Sequence, residues 1–340
     1  MAKQKGNEIS AGYFGNPGLK KREREILEDI SARSGFIPKN LMGESSWWGS
    51  SEIGAFHYTG IFEGKKAVLK VQGVRPNISE IYMIESFARE NKSKIIRPPY
   101  LYCAFPWDEE KKYEVLILEF IDGPKVIQTP AAEEQIKRFF ELYQDYRYHC
   151  LRSPWVGKPG GTLSAFIGRR FRRWREASFK IYPRHPLRQE GDAGLIDAAI
   201  KKLKTGYKGV EMEFVHGHFS ENDLYQAGDQ VVILSNLYWS WRQPFCDAVF
   251  GYHWFIYHLG SVEGITPTEI ERQRKMWLSA IGTLPQAQTK EGKKLLNLAL
   301  LERAAAGLNL DSLTLDPKKP ISAYLVEATR DQLKELLEKD

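Results

Sequence analysis

The hydrophobic period of this chain changes once along its length. Up to residue 120 the apolar runs are short and strand-like: Ala55 to Phe62 and Lys66 to Val71, joined by Glu63-Gly64, read as a hairpin. Tyr113 to Phe120 reads as a third strand that ends at the turn signal Asp122-Gly123. Beyond that turn, starting with Ala131 to Cys150, the pattern is mostly helical. Strands first and helices afterwards predict an α+β chain of two lobes, and 340 residues suffice to build both. The boundary falls near Ile121 to Pro124, giving an extension over 1–38, a sheet-bearing lobe over 39–121 and a helical lobe over 122–340.

Two helices are predicted ahead of the boundary. Leu19 to Arg33, following the breaker Pro17-Gly18, places Leu19, Ile26, Leu27 and Ile30 on one face and is expected to pack on the first lobe. Ser79 to Asn91, with Ser79 as its cap, gathers Ile81, Ile84, Phe87 and Ala88.

Composition excludes several classes. Apolar residues make up 42% and charged residues 27%, the balance of a packed protein and not of a disordered one. Cys103, Cys150 and Cys246 show no Cys-x-x-Cys spacing, so neither a disulfide framework nor a thiolate metal site is expected. Met1 to Asn16 is polar and lacks a signal-peptide core, which predicts a cytoplasmic protein. Ala248 to Val262, the most apolar later run, holds His253 and His258 and is too short to span a bilayer. It reads as a buried helix, and no membrane insertion is expected.

The net charge of +6 is uneven. Leu151 to Arg188 holds ten Lys or Arg against the single acid Glu176, so this segment carries +9 and the rest of the chain −3. Within it, Ile167, Phe171, Trp174 and Ser178 form a helical stripe ringed by Arg169, Arg170, Arg172, Arg173 and Arg175. These arginines are candidates for an anion-binding face, the alternative being a solvated helix whose arginines pair with acids elsewhere.

Strand, lysine, helix with a glutamate, apolar strand, Gly turn and then helices is an order that resembles the kinase plan, and the local sequences resemble the aminoglycoside and small-molecule phosphotransferases within it. Ala67-Val68-Leu69-Lys70 looks like the lysine strand, which implies that Lys70 meets nucleotide phosphates and is held by Glu80 or, second, Glu85. Val115 to Gly123 resembles the family's hinge, which implies adenine contacts from the backbone of Glu119, Phe120 and Ile121. His216-Gly217-His218-Phe219-Ser220-Glu221-Asn222-Asp223 follows the catalytic loop, normally His-Gly-Asp-x-x-x-x-Asn. His218 stands where the aspartate base belongs, and Asp223 where the metal-binding asparagine belongs. Asn222 is one place early. Gln230 to Leu234 resembles the strand that delivers the magnesium-binding aspartate, and that position is Ser235. Pro244 and Asp247, nine and twelve residues further on, match the family's usual proline and second aspartate.

The resemblance therefore implies a bilobal fold with a small antiparallel sheet and a mostly helical second lobe. It also implies ATP as a weakly bound cofactor, with the magnesium requirement left open by Ser235. A serine hydroxyl is a poorer ligand for a hard cation than a carboxylate. The leading expectation is a kinase-like pseudoenzyme that binds a ligand or partner. The alternatives are an active phosphotransferase with a changed metal site, using His218 as base, and an anion or nucleic-acid binding module on the same scaffold. The arginine segment argues against polycationic aminoglycosides and toward an anionic ligand. His216 and His218, if carried on a strand, would also offer a His-x-His metal pair.

Overall fold

The computed structural model describes residues 19–45, 55–151, 153–181 and 184–339. The polar run Met1 to Asn16 and the Pro17-Gly18 breaker lie outside the described residues. The chain divides into two compact units, one formed by residues up to 90 together with 97–123, the other by 91–96 together with 124 onward.

The first unit opens with α1 (Leu19–Ser34), followed by β1 (Ile37–Ser45), β2 (Ala55–Phe62), β3 (Lys65–Gln72) and α2 (Glu80–Glu90). After the short β4 (Ile96–Arg97) come β5 (Leu101–Asp108) and β6 (Tyr113–Glu119). Five strands form an antiparallel sheet in the order β1-β2-β3-β6-β5. The β2–β3 hairpin turns at Glu63 and Gly64, both with positive φ, the backbone a two-residue hairpin turn demands.

Side chains alternate across a strand, and that alternation decides where the lysine points. Ala67, Leu69 and Val71 of β3 enter a core with Ile26, Ile30, Phe36, Phe56, Val115 and Ile117. Ile26 and Ile30 belong to α1, so the helix before the sheet closes that core. The opposite face carries Leu116 and Leu118, covered by Ile84 of α2, and Lys70 is paired in register with Leu116. Lys70 is therefore on the face that α2 covers. Of the predicted α2 face, Ile84 and Phe87 are buried, whereas Ala88 is exposed and Met83 takes a core place instead.

His57 of β2 lies opposite Lys70 in the ladder. Burial and then the Lys70 charge push its pKa from 6.5 down to about 3. The folded state thus binds fewer protons than the unfolded state between those values. Stability is complete above the unfolded pKa and is lost as pH falls toward the folded one. A fall in unfolding free energy of about 2 kcal/mol is expected between pH 7 and pH 4.5. Denaturant titrations across that range check it, and His57→Gln is expected to flatten the dependence.

The second unit contains α3 (Glu133–His149), α4 (Leu163–Ile181), α5 (Asp192–Gly206), α6 (Cys246–Leu259), α7 (Pro267–Gly282), α8 (Lys290–Asn309) and α9 (Pro320–Glu338). Between α5 and α6 lie β7 (Glu213–Val215), β8 (Leu224–Ala227), β9 (Gln230–Ile233) and β10 (Ser240–Arg242). β8 and β9 form a hairpin, and β7 pairs with β10. Buried aromatic rings fill the space beneath them. Phe139 contacts Phe219 and Trp277, while Tyr146 contacts Phe219 and Trp239. This packing fixes the floor of the loop that joins β7 to β8. Among the described residues, no helix is long and apolar enough to cross a membrane.

Candidate functional site

In the first unit, Lys70 Nζ donates to Glu80 Oε2 at 2.5 Å, with both side chains largely buried. Glu80 stands at the first turn of α2, which is capped by Ser79: its hydroxyl accepts from the Ile81 N–H and donates to Glu114. Burial raises the Glu114 carboxyl above its ordinary range. The second candidate partner, Glu85, is exposed and takes no part in this pair.

Glu119 is engaged twice over. Its backbone N–H donates to Tyr100 at 3.0 Å, and its carboxylate is held by the Arg97 guanidinium. The Glu119 N–H is therefore not available to a ligand. Phe120 and Ile121 lie just past the strand's end, with Lys66 over the Phe120 ring.

In the second unit β7 stops at Val215, so His216 and His218 do not ride a strand and the His-x-His metal reading fails on geometry. His216 is fully buried and its Nε2 meets the Leu234 carbonyl at 2.9 Å. Burial lowers its pKa, so it packs as a neutral ring. Gly217 has φ +80, and a Cβ there would fall 2.5 Å from the Tyr238 carbonyl oxygen. Only glycine fits that turn. Its N–H donates to Asp247 Oδ1 at 2.9 Å, and Asp247 also accepts from the buried Tyr146 hydroxyl.

His218 stacks on Tyr238, with ring centroids 4.5 Å apart, and leans on Phe250. Its Nδ1 meets Asp223 Oδ2 at 2.9 Å, and the ring remains partly exposed. Asp223 is buried and also accepts from Ser220 Oγ at 2.7 Å and from the Ser235 side chain. Burial raises its pKa, but the charge and hydrogen bond of His218, His216 and the Ser235 bond together hold it below the ordinary carboxylate value. Ser235 sits in left-handed backbone at φ +58, immediately after β9. The loop thus returns His218, Asp223 and Ser235 to one cluster.

That donor set does not fit magnesium. A hard cation wants several free anionic oxygens, whereas Asp223 is satisfied by three donors of its own unit and Ser235 is neutral. Among the described residues no group of three His, Cys, Asp or Glu side chains is arranged to hold a metal ion. Asn222 does not replace Asp223, because its side chain accepts from Lys125 and faces the ring nitrogens of His258. His258 in turn bonds the buried Glu221.

The arginines of α4 divide. Arg169, Arg172 and Arg173 are exposed, but Arg170 is turned inward and bridges to Glu302 at 2.6 Å, while Arg175 pairs with Asp197 at 2.7 Å. Arg170 shares the inner side of the helix with Phe166 and Trp174, spaced four residues either way. Its removal from the expected anion face is a consequence of that spacing and of the buried acid. Glu302 was readable as a warning: Glu302-Arg303 interrupts the apolar run Leu298 to Leu308, and charges in such a run must find partners. Glu221 and Lys125 carry no such mark in the sequence.

No protein-family model matches this chain, and no curated protein matches it. Solved structures do. A thermostable mutant of aminoglycoside phosphotransferase APH(4)-Ia, in ternary complex with AMP-PNP and hygromycin B, aligns at 12% identity with a TM-score of 0.58, over 92% of this chain and 97% of that one. Its apo form aligns at 12% identity and a TM-score of 0.55, covering 91% and 97%. The AMP-bound spectinomycin phosphotransferase APH(9)-Ia aligns at 12% identity and a TM-score of 0.51, covering 93% and 98%. What is shared at this identity is the fold: the two-lobed, kinase-like fold of the aminoglycoside phosphotransferases, with an antiparallel sheet in one lobe and a helical second lobe.

Proposed function

We propose that this protein is a kinase-like pseudoenzyme that holds a ligand on a phosphotransferase scaffold without efficient phosphoryl transfer. The observation that carries this reading is the state of Asp223, whose buried carboxylate is consumed by His218, Ser220 and Ser235. Phosphoryl transfer relies on cations that neutralise the phosphates, and those cations need carboxylates that face outward. The Lys70–Glu80 pair supports residual nucleotide binding, with Lys70 against the phosphates and the backbone of Phe120 and Ile121 against the base.

Such binding lacks its metal bridge, so it is weak and indifferent to magnesium. Calorimetry is expected to give a dissociation constant of about 0.1 mM or weaker for ATP. Chelating magnesium should change it by less than about threefold, and Lys70→Ala should abolish it. Tight binding that vanishes with EDTA would refute the reading.

One observation favours a second reading, that of an active phosphotransferase. A carboxylate on one nitrogen of an imidazole orients the other nitrogen as a base, and Asp223 does this to His218. Under that reading, acceptor turnover depends on His218 and survives without a second carboxylate.

A further inference from the structure

The second unit carries a guanidinium that the first reading of the arginine segment does not include. Arg242 ends β10 and is partly buried. Among the described residues no carboxylate or carbonyl accepts a hydrogen bond from its side chain. Its guanidinium lies 5.7 Å from the centroid of the Phe166 ring, which Arg170 approaches at 5.1 Å. Arg170 also lies 5.0 Å from Trp174, and Arg303 lies 5.5 Å from the same ring. Arg303 continues to Phe250 at 5.7 Å, the ring against which His218 leans at 4.7 Å. The alternation of guanidinium and ring thus runs without a break from Arg242 to His218.

The charges along this wall do not cancel. Arg170 is paired with Glu302 and Arg303 with Asp311, while Arg242 is left over. Arg303 is 8% exposed, and its Nε, like that of Arg170, is buried without a hydrogen-bond partner. A partly buried cation with no counter-charge is costly, and a fold retains one where a ligand supplies the missing anion. Burial, followed by the neighbouring Arg170 charge, presses the Arg242 guanidinium below its ordinary pKa, as an uncompensated site requires. Aromatic rings on its flank strip water from the site and leave the planar fork open to two oxygens.

We infer that Arg242, backed by Arg170, Arg303 and the Phe166 ring, forms an oxyanion subsite that takes the carboxylate or phosphate group of a small-molecule ligand beside His218. This extends the proposed function by naming the ligand's class, and it rests on that reading only in taking the protein to act by binding. A bidentate contact from an otherwise unpaired guanidinium gives the site its selectivity for an oxyanion over chloride.

Calorimetry with sodium phosphate and, separately, sodium acetate, each at ionic strength held constant with sodium chloride, tests this on the full chain. Saturable binding of at least one anion is expected, phosphate alone pointing to a phosphorylated ligand and acetate to a carboxylic acid. Arg242→Gln is expected to weaken it by at least about tenfold. Arg242→Lys, which keeps the charge and loses the fork, is expected to weaken it by about threefold, and it serves as the test if the glutamine variant does not fold. Arg138→Gln, a change to an exposed arginine of α3, should leave binding unaltered. Lys70→Ala, which removes the nucleotide contact, should change it by less than about twofold, so failure here is distinguishable from failure of the nucleotide reading. Absence of saturable binding, loss with Lys70→Ala, or indifference to both Arg242 variants would overturn the inference.

Discussion

Mixed with ATP, magnesium and a broad panel of small-molecule acceptors, the wild-type protein is expected to transfer phosphate at least about a thousandfold more slowly than the 1 to 100 per second usual for kinases. The deficit is assigned to charge neutralisation and not to proton transfer. His218 is held by Asp223 at 2.9 Å in an orientation that suits a base. The same contact spends the carboxylate on which a metal ion would have to draw, and Ser235 adds no charge. Groups that act as a unit fail together, so repairing one position is expected to recover little. Ser235→Asp alone sets two carboxylates side by side with no cation guaranteed to separate them. The triple variant His218→Asp, Asp223→Asn and Ser235→Asp returns base, amide ligand and carboxylate ligand to the pattern that the sequence resembles. Phosphorus NMR or coupled ADP release should detect turnover in the triple variant and none above background in the wild type. Robust wild-type turnover abolished by His218→Ala would instead establish an enzyme with a histidine base.

The division between what the sequence disclosed and what it withheld follows the range of the interactions. The β2–β3 hairpin, the capped helix α2 and the buried helix α6 are set by local pattern, and their periods of two and 3.6 are visible residue by residue. The Lys70–Glu80 pair was legible because strand alternation and helix phase each fix a face, leaving Glu85 on the wrong side. The cluster around Asp223 was legible only as a list of substitutions. That Asp223 is consumed by His218, Ser220 and Ser235 depends on a turn at Gly217 and a left-handed Ser235, which place residues 218 and 235 together. Arg170 was misplaced for a related reason. A helical wheel shows which side chains share a face, but not that Glu302, 132 residues away, waits beneath it. Arg242 bears no local mark at all, since an arginine at the end of a three-residue strand reads as solvated.

The residue on which the loop's geometry turns is Asp247, and Asp247→Ala is expected to destabilise the second unit by about 3 kcal/mol. Its carboxylate, 1% exposed, accepts from the Gly217 N–H and from the Tyr146 hydroxyl, both brought to it by the floor of aromatic rings. Alanine would leave two buried donors unpaired, each costing roughly 1 to 3 kcal/mol. The corresponding fall in unfolding temperature is about 6 to 12 °C for a unit of this size. Asp247→Asn keeps an oxygen for the Gly217 N–H, and the tyrosine oxygen can accept from its amide, so its cost should stay near 1 kcal/mol. Tyr146→Phe removes one of the two donors, which predicts that Asp247→Ala costs less in that background, with a coupling of about 1 kcal/mol. Calorimetric or denaturant unfolding of the four proteins measures this. Since Gly217 lies between His216 and His218, loosening its anchor should also free the His218 ring from Tyr238, visible as averaging of its proton resonances. If Asp247→Ala unfolded within about 0.5 kcal/mol of wild type, the loop would be held by its neighbours' packing, and the account of Asp247 as its anchor would be wrong.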